Sequence, residues 1–327
     1  MRLPTFWGGI HPPQNKDLTV NEKIESYLPK GELVFPMAQN LGAPCSPVVA
    51  KGERVLVGTR LGNNDAFVSA PILSSVSGTV KDVTMRMTTP GMLENCVVVE
   101  NDGLYETAPE WKPLENYESA DPKEYIKRIR EAGIVGFGGA TFPTAVKLSP
   151  PPDKKINWLI VNGVECEPYL NCDNRLMLEG AEKVIKGLQL VMRIFPEAKG
   201  VIAIENNKPQ AISVMNDLVA KLGAENIIVQ PLAVKYPQGA EKMQVKANTD
   251  REVKRFSVGI VNPVGQDLFV LFRPDGRMEE IEILHLCMNR NSADRLRKCG
   301  VLPAGGFQHN AGFVFVHIRT DEVAEDP

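Results

Sequence analysis

Apolar positions along this chain change their period near residue 120. Between residues 31 and 100 they form runs of three to five, broken by glycine. These are Leu33-Val34-Phe35, Val48-Val49-Ala50, Val55-Leu56-Val57, Val68-Ser69-Ala70-Pro71 and Val76-Ser77-Gly78-Thr79-Val80. Short runs between glycine turns predict a small β-sandwich or barrel. From Ile156 the pattern alternates. Trp158-Leu159-Ile160-Val161 reads as a buried strand, and Leu178, Ala181, Val184, Ile185, Leu188, Val191 and Met192 follow at helical spacing. Val201–Ile204 predicts a second strand. Pro209 opens a helix through Ile212, Met215, Leu218 and Val219, Gly223 closes it, and Ile227–Val229 predicts a third strand. Strands alternating with helices predict a mainly parallel sheet covered on both faces.

The connections divide the chain. Residues 1–30 are polar, and Pro12 and Pro13 exclude a helix there, so they read as an ordered arm in which His11 is a packed loop residue. The β domain spans 31–110. Pro109 and Pro113 mark a linker over 101–120. Asp121-Pro122-Lys123-Glu124 then starts a helix, with Asp121 as cap, Pro122 in the first position and Glu124 reaching back to the cap. Tyr125, Ile126 and Ile129 form its apolar stripe, and Gly133 stops it. The α/β domain spans 121–253. Residues 254–327 read as a short α+β segment, with strands at Leu268–Phe272, Ile281–Leu284 and Phe313–Val316.

Composition narrows the classes. A net charge of −3 over 327 residues argues against nucleic acid. No apolar run reaches the roughly 18–20 residues of a membrane span, and the N-terminus lacks a signal-peptide core, so a cytosolic protein is expected. The six cysteines (45, 96, 166, 172, 287 and 299) include no pair separated by two residues, and the four histidines are scattered. No metal site is expected, and the thiols read as reduced.

The densest chemistry lies in Gly136-Phe137-Gly138-Gly139-Ala140-Thr141-Phe142-Pro143-Thr144-Ala145-Val146-Lys147. Three glycines in four positions let a backbone turn tightly and bring its N–H groups against a flat or phosphorylated ligand. Phe142 offers a stacking face and Lys147 a point charge. The cluster follows a helix and precedes the first strong strand, unlike the dinucleotide fingerprint between a strand and its helix. A tight loop without a ligand is the alternative. Three strand-end segments add to it: Asn162-Gly163-Val164-Glu165-Cys166-Glu167-Pro168-Tyr169, Glu205-Asn206-Asn207-Lys208-Pro209 and Tyr236-Pro237-Gln238-Gly239-Ala240-Glu241-Lys242. Strand ends of parallel sheets face the ligand crevice.

These motifs, with the opening Thr5-Phe6-Trp7-Gly8-Gly9-Ile10-His11-Pro12-Pro13, closely resemble the RnfC (RsxC) family, over about residues 1–253. Its members belong to the Rnf ion-translocating electron-transport complex. That family is related to the flavin-bearing, NADH-binding flavoprotein of respiratory complex I. Residues 51–80 also resemble a lipoyl-type barrel-sandwich hybrid domain, but Asn63–Phe67, at the expected hairpin tip, holds no lysine for a cofactor. The resemblance implies FMN and NAD(H) as cofactors. Gly136, Gly138 and Gly139 would cradle the flavin, Lys147 would lie on its side of the site, and Phe142 would stack on NADH. Asn162 would bond the isoalloxazine or ribityl chain, Glu165 and Glu167 would line the nicotinamide slot, and Gly239 and Glu241 would close over the flavin. The complex I flavoprotein has a glutamate where Ala240 stands. Partners would be the other subunits of a membrane complex, with this one peripheral on the cytoplasmic face of the inner (plasma) membrane.

Beyond Val253 the resemblance weakens. The family's flavin-phosphate motif is echoed by Asn262, but Pro263 and Gln266 replace its second amide and its hydroxyl. The family's 4Fe-4S clusters need closely spaced cysteines that Cys287 and Cys299 do not supply. The chain therefore reads as an NADH–FMN electron-transfer subunit, or alternatively as a non-catalytic remnant or assembly module with the same fold.

Overall fold

The computed structural model describes residues 3–88, 91–111, 114, 119–136, 141–151, 155–251 and the strand Asp267–Phe269. The expected positions Gly138, Gly139 and Asn262, and the strands expected over 281–284 and 313–316, lie outside the described residues. The chain forms two compact units. Among the described residues, Tyr27–Ser149 make one, and the residues before Tyr27 join those from Pro150 to Phe269 in the other.

The first unit is the β module. Its strands are β1 (Glu32–Pro36), β2 (Ser46–Pro47), β3 (Arg54–Val55), β4 (Arg60–Asn63), β5 (Ile72–Leu73), β6 (Gly78–Met87) and β7 (Leu93–Asn101). They form two antiparallel sheets, ordered β1-β7-β6-β3 and β2-β4-β5. Phe35, Met37, Val55, Leu61, Ile72, Val76, Val80, Val97 and Val99 pack between them. Two expectations need correction. The apolar run at Val48–Ala50 is no strand; β2 ends at Pro47, the Val48 N–H still bonds the Leu61 carbonyl of β4 at 2.9 Å, and the Val48 side chain is exposed. Strands of three to five residues understate β6 and β7, which are ten and nine residues long. Their outer halves pair with each other through residues such as Arg86 and Glu94, and the alternating Val83, Met85 and Met87 carry β6 past the run at Val76–Val80.

Helix α1 (Pro122–Glu131) starts as its sequence predicts, with the Asp121 carboxylate accepting the Lys123 N–H at 2.8 Å. Glu124 does not reach back; its carboxylate pairs instead with Arg128, one turn on, at 3.4 Å. Gly133 adopts a left-handed φ of 64° and ends the helix. The one-turn helix α2 (Thr144–Lys147) closes this unit.

The second unit is a parallel sheet ordered β10-β9-β8-β11, from β8 (Trp158–Gly163), β9 (Lys199–Glu205), β10 (Ile227–Leu232) and β11 (Asp267–Phe269). The apolar period over 178–192 is split at Gly180 into α3 (Cys172–Glu179) and α4 (Ala181–Ile194). Helix α5 (Pro209–Lys221) follows β9, and α6 (Glu241–Thr249) follows β10. Alternate residues of β9 face opposite layers. Val201 and Ala203 pack with Val245 and Ala247 of α6. Gly200 points at Leu188 and Met192 of α4, where an added Cβ would sit 3.0–3.1 Å away.

Candidate functional site

In this parallel sheet, the segments after β8, β9 and β10 leave from the same edge. Asn162, next to the end of β8, ties two of them together. Its Nδ2 donates to the Gly239 carbonyl at 2.8 Å, and its Oδ1 accepts the Val164 N–H at 3.3 Å. The Gly239 N–H in turn donates to Cys166 Sγ at 3.2 Å, and a Cβ on Gly239 would lie 3.2 Å from that sulfur. The Cys166 thiol is buried, which pushes it up to about 11 and keeps it protonated at neutral pH.

Glu165 and Glu167, adjacent in the expected slot, have different surroundings. Glu167 is exposed. Glu165 is buried, with a left-handed φ of 53°, and its carboxylate accepts the N–H groups of Asp173 at 2.7 Å and Asn174 at 3.4 Å. These N–H groups open α3, whose preceding Asn171 makes no side-chain cap, so Glu165 supplies the anion that helix start favours. Lys208 provides the countercharge. Its Nζ lies 4.0 Å from Glu165 Oε2 and 3.8 Å from Glu205 Oε2, and donates to the Val164 carbonyl at 2.7 Å. Glu205 also accepts the Lys235 N–H at 3.1 Å. Burial pushes the Lys208 ammonium down and the Glu205 carboxyl up. It also lifts the Asp173 carboxyl to about 7, with the charge of Glu165 adding to the shift. Carboxylate and thiol atoms of Glu165, Cys172 and Asp173 lie within 4.8 Å of one another.

The N-terminal arm, expected only as an ordered segment, crosses all three strand-end loops. The Thr5 hydroxyl donates to Gln238 Oε1 at 2.7 Å, and Ile10 pairs with Tyr236 after β10. Lys235 Nζ donates to the carbonyls of Phe6 and Gly8, each at 2.7 Å. Gln14 Oε1 accepts from Asn207 after β9, and the Gln14 carbonyl accepts the Tyr169 N–H after β8. Lys16 Nζ donates to three carbonyls of the β8 loop. His11 is exposed on this arm, not packed.

The glycine segment belongs to the other unit. The Gly136 N–H donates to the Phe142 carbonyl at 2.9 Å and the Thr144 N–H to the Ile134 carbonyl at 3.0 Å, so the segments on either side of 137–140 are bonded to each other. Among the described residues, a Cβ on Gly136 would meet the Phe142 carbonyl at 3.7 Å. Phe142 and Lys147 are half-buried. Glu241 is exposed in the first turn of α6. Sequence reasoning assigned no role to Lys16, Asp173, Glu205, Lys208 or Gln238. Lysine and glutamate inside a strand-end motif were the available signal for Lys208 and Glu205. The arm residues had none, because their partners lie up to 233 positions away.

Residues 4–104 match the model of the RnfC barrel sandwich hybrid domain, and residues 129–268 match the Nuo51 FMN-binding domain. The second match runs past Val253 and takes in Asn262. The chain is 45% identical over 250 residues to a subunit of the Na(+)-translocating ferredoxin:NAD(+) oxidoreductase complex of Acetobacterium woodii, covering 76% of this chain and 56% of that protein. It is also 45% identical over 252 residues to a subunit of the proton-translocating ferredoxin:NAD(+) oxidoreductase complex of Clostridium ljungdahlii, covering 77% of this chain and 54% of that one. It thus spans about half the length of these relatives. Among solved structures, an NAD+-reducing NiFe hydrogenase in the air-oxidized state is similar at 23% identity and a TM-score of 0.37, over 46% of this chain and 28% of that one.

Proposed function

We propose that this chain, which belongs to the RnfC family, holds FMN and exchanges hydride between it and NAD(H) as an electron-transfer subunit. The observation that carries this is the convergence of the β8 and β10 loops on the Asn162–Gly239–Cys166 contacts, within the segment that matches an FMN-binding domain.

The residues present fit a flavin. Gln238 is fully buried, and its Nε2 has no partner among the described residues, so an orphan amide donor lies in the loop expected to close over the ring. Asn162 spends one Nδ2 hydrogen on Gly239 and keeps the second for a ligand acceptor. In this reading Gly136, Gly138, Gly139 and Lys147 hold the flavin, with Asn262 toward its phosphate, and Phe142 stacks on the dinucleotide. Glu167 lines the slot, and Gly239 and Glu241 close it. Glu165 sets the loop from beneath, because its oxygens are engaged by α3.

A bound flavin supplies two-electron chemistry with NADH and one-electron transfer onward. The protein's task is to align the rings and exclude water. The onward acceptors would be other subunits of an ion-translocating complex, with this one peripheral; no described helix is long and apolar enough to cross a membrane. FMN reconstitution followed by NADH titration tests the reading. The expected result is a stoichiometric flavin spectrum that bleaches with NADH. A chain that takes up no FMN, or binds it without bleaching, would favour the non-catalytic alternative.

A further inference from the structure

We infer that Lys16 is the positioning residue for the β8 loop, Glu165–Leu170, holding it in the shape that presents Glu167 and Cys166 to the site. Its placement as a site residue rests on the flavin reading above; its grip on the loop does not. The ammonium donates to the carbonyls of Glu165 at 2.8 Å, Glu167 at 3.0 Å and Leu170 at 2.6 Å. Three hydrogens meet three acceptors, an arrangement an ammonium satisfies and a planar guanidinium does not.

The loop needs such a grip. Glu165 and Tyr169 are non-glycine residues with left-handed φ of 53° and 69°, conformations that persist only where the surroundings over-determine them. Lys16 holds the loop on both sides of Cys166–Pro168. The flanking arm adds to it. The Gln14 carbonyl accepts the Tyr169 N–H at 2.8 Å, the Thr19 hydroxyl donates to the Tyr169 carbonyl at 3.3 Å, and Asn171 Nδ2 donates to the Lys16 carbonyl at 2.7 Å. On its other side the loop meets Gly239 through Cys166. A rearranged carbonyl at Glu165 or Glu167 therefore displaces Glu167 and the β8–β10 contact together.

The test compares full-length wild type, Lys16→Ala and Lys16→Met. Hydrogen exchange is followed at the amides of Cys166–Asn171, and NADH kinetics are measured on FMN-loaded protein with ferricyanide as acceptor. Lys16→Ala should speed exchange in this loop and raise the KM for NADH by about tenfold, the scale of one charge-assisted hydrogen bond, with kcat less affected. Propylammonium, which restores the missing atoms, should reverse both effects, whereas sodium chloride at equal ionic strength should not. Wild-type exchange in the loop of both variants would overturn the proposal. So would a uniform loss of protection across the α/β unit that propylammonium leaves unchanged. Lys16→Met keeps the stem packed and carries the comparison if Lys16→Ala does not fold. If the wild type binds no FMN, the flavin reading fails and the exchange arm still decides the role of Lys16.

Discussion

At the scale of single residues, the most consequential group is Lys208. It is buried between Glu165 and Glu205, and two buried carboxylates lose their countercharge if it is removed. Lys208→Met is expected to destabilise the α/β unit by about 3–5 kcal/mol, measurable as a fall in the urea midpoint. Asp173 gives a pH signature. Its folded carboxyl is raised from 3.8 to about 7, so the folded chain keeps a proton that the unfolded chain releases over that interval. The stability this contributes is complete below about pH 4 and is lost as pH rises through about 7. Thermal midpoints should therefore fall more steeply from pH 5 to pH 8 in wild type than in Asp173→Asn; parallel profiles would show that Asp173 does not titrate there. Lys208 sat in a sequence motif and Asp173 in none, but burial and partners set the charge state of both, and neither is visible in composition.

At the scale of elements, local rules worked where a boundary depends on neighbours within one turn. Asp121 and Pro122 start α1 and Gly133 ends it, as their positions predict. Asp121→Ala is accordingly expected to cost about 1 kcal/mol, read as a lowered melting temperature. Local rules failed where pairing partners lie far away. Strand β7 has polar outer positions and is held by its register with β6 and β1. Gly9 shows the same dependence on distant chain: its φ is +86°, and a Cβ would lie 2.8 Å from the Tyr236 carbonyl. Gly9→Ala is expected to break the Ile10–Tyr236 pairing, because that obstacle is backbone and cannot rotate away. Faster amide exchange at Ile10 and Tyr236 would report the break, and unchanged exchange would refute it.

At the scale of the whole molecule, the arm belongs to the α/β unit although the β module intervenes in sequence. It bonds to the loops after all three long parallel strands. A chain lacking residues 1–18 is expected to be cut by chymotrypsin at Tyr169 at protein-to-protease ratios that leave the intact chain whole, because the β8 loop loses Gln14 and Lys16 as partners. Equal cleavage of the two chains would show that the loop holds itself. The proposed assembly with other subunits of an ion-translocating complex predicts co-purification with them that is lost when the β module is removed; equal recovery without it would place any such contact elsewhere.

The sequence alone determined the order of a glycine-punctuated β module and a parallel α/β unit, the caps of α1, and the motifs by which the chain joins its family. Each depends on periodicity or on contacts within a few residues, which a chain records directly. The tertiary structure alone decided that Glu165 serves α3 while its neighbour Glu167 is exposed, that Lys208 is a buried countercharge, and that Lys16 grips a loop about 150 residues away. Those roles depend on burial and on which distant carbonyls and carboxylates meet, and only the folded chain specifies that.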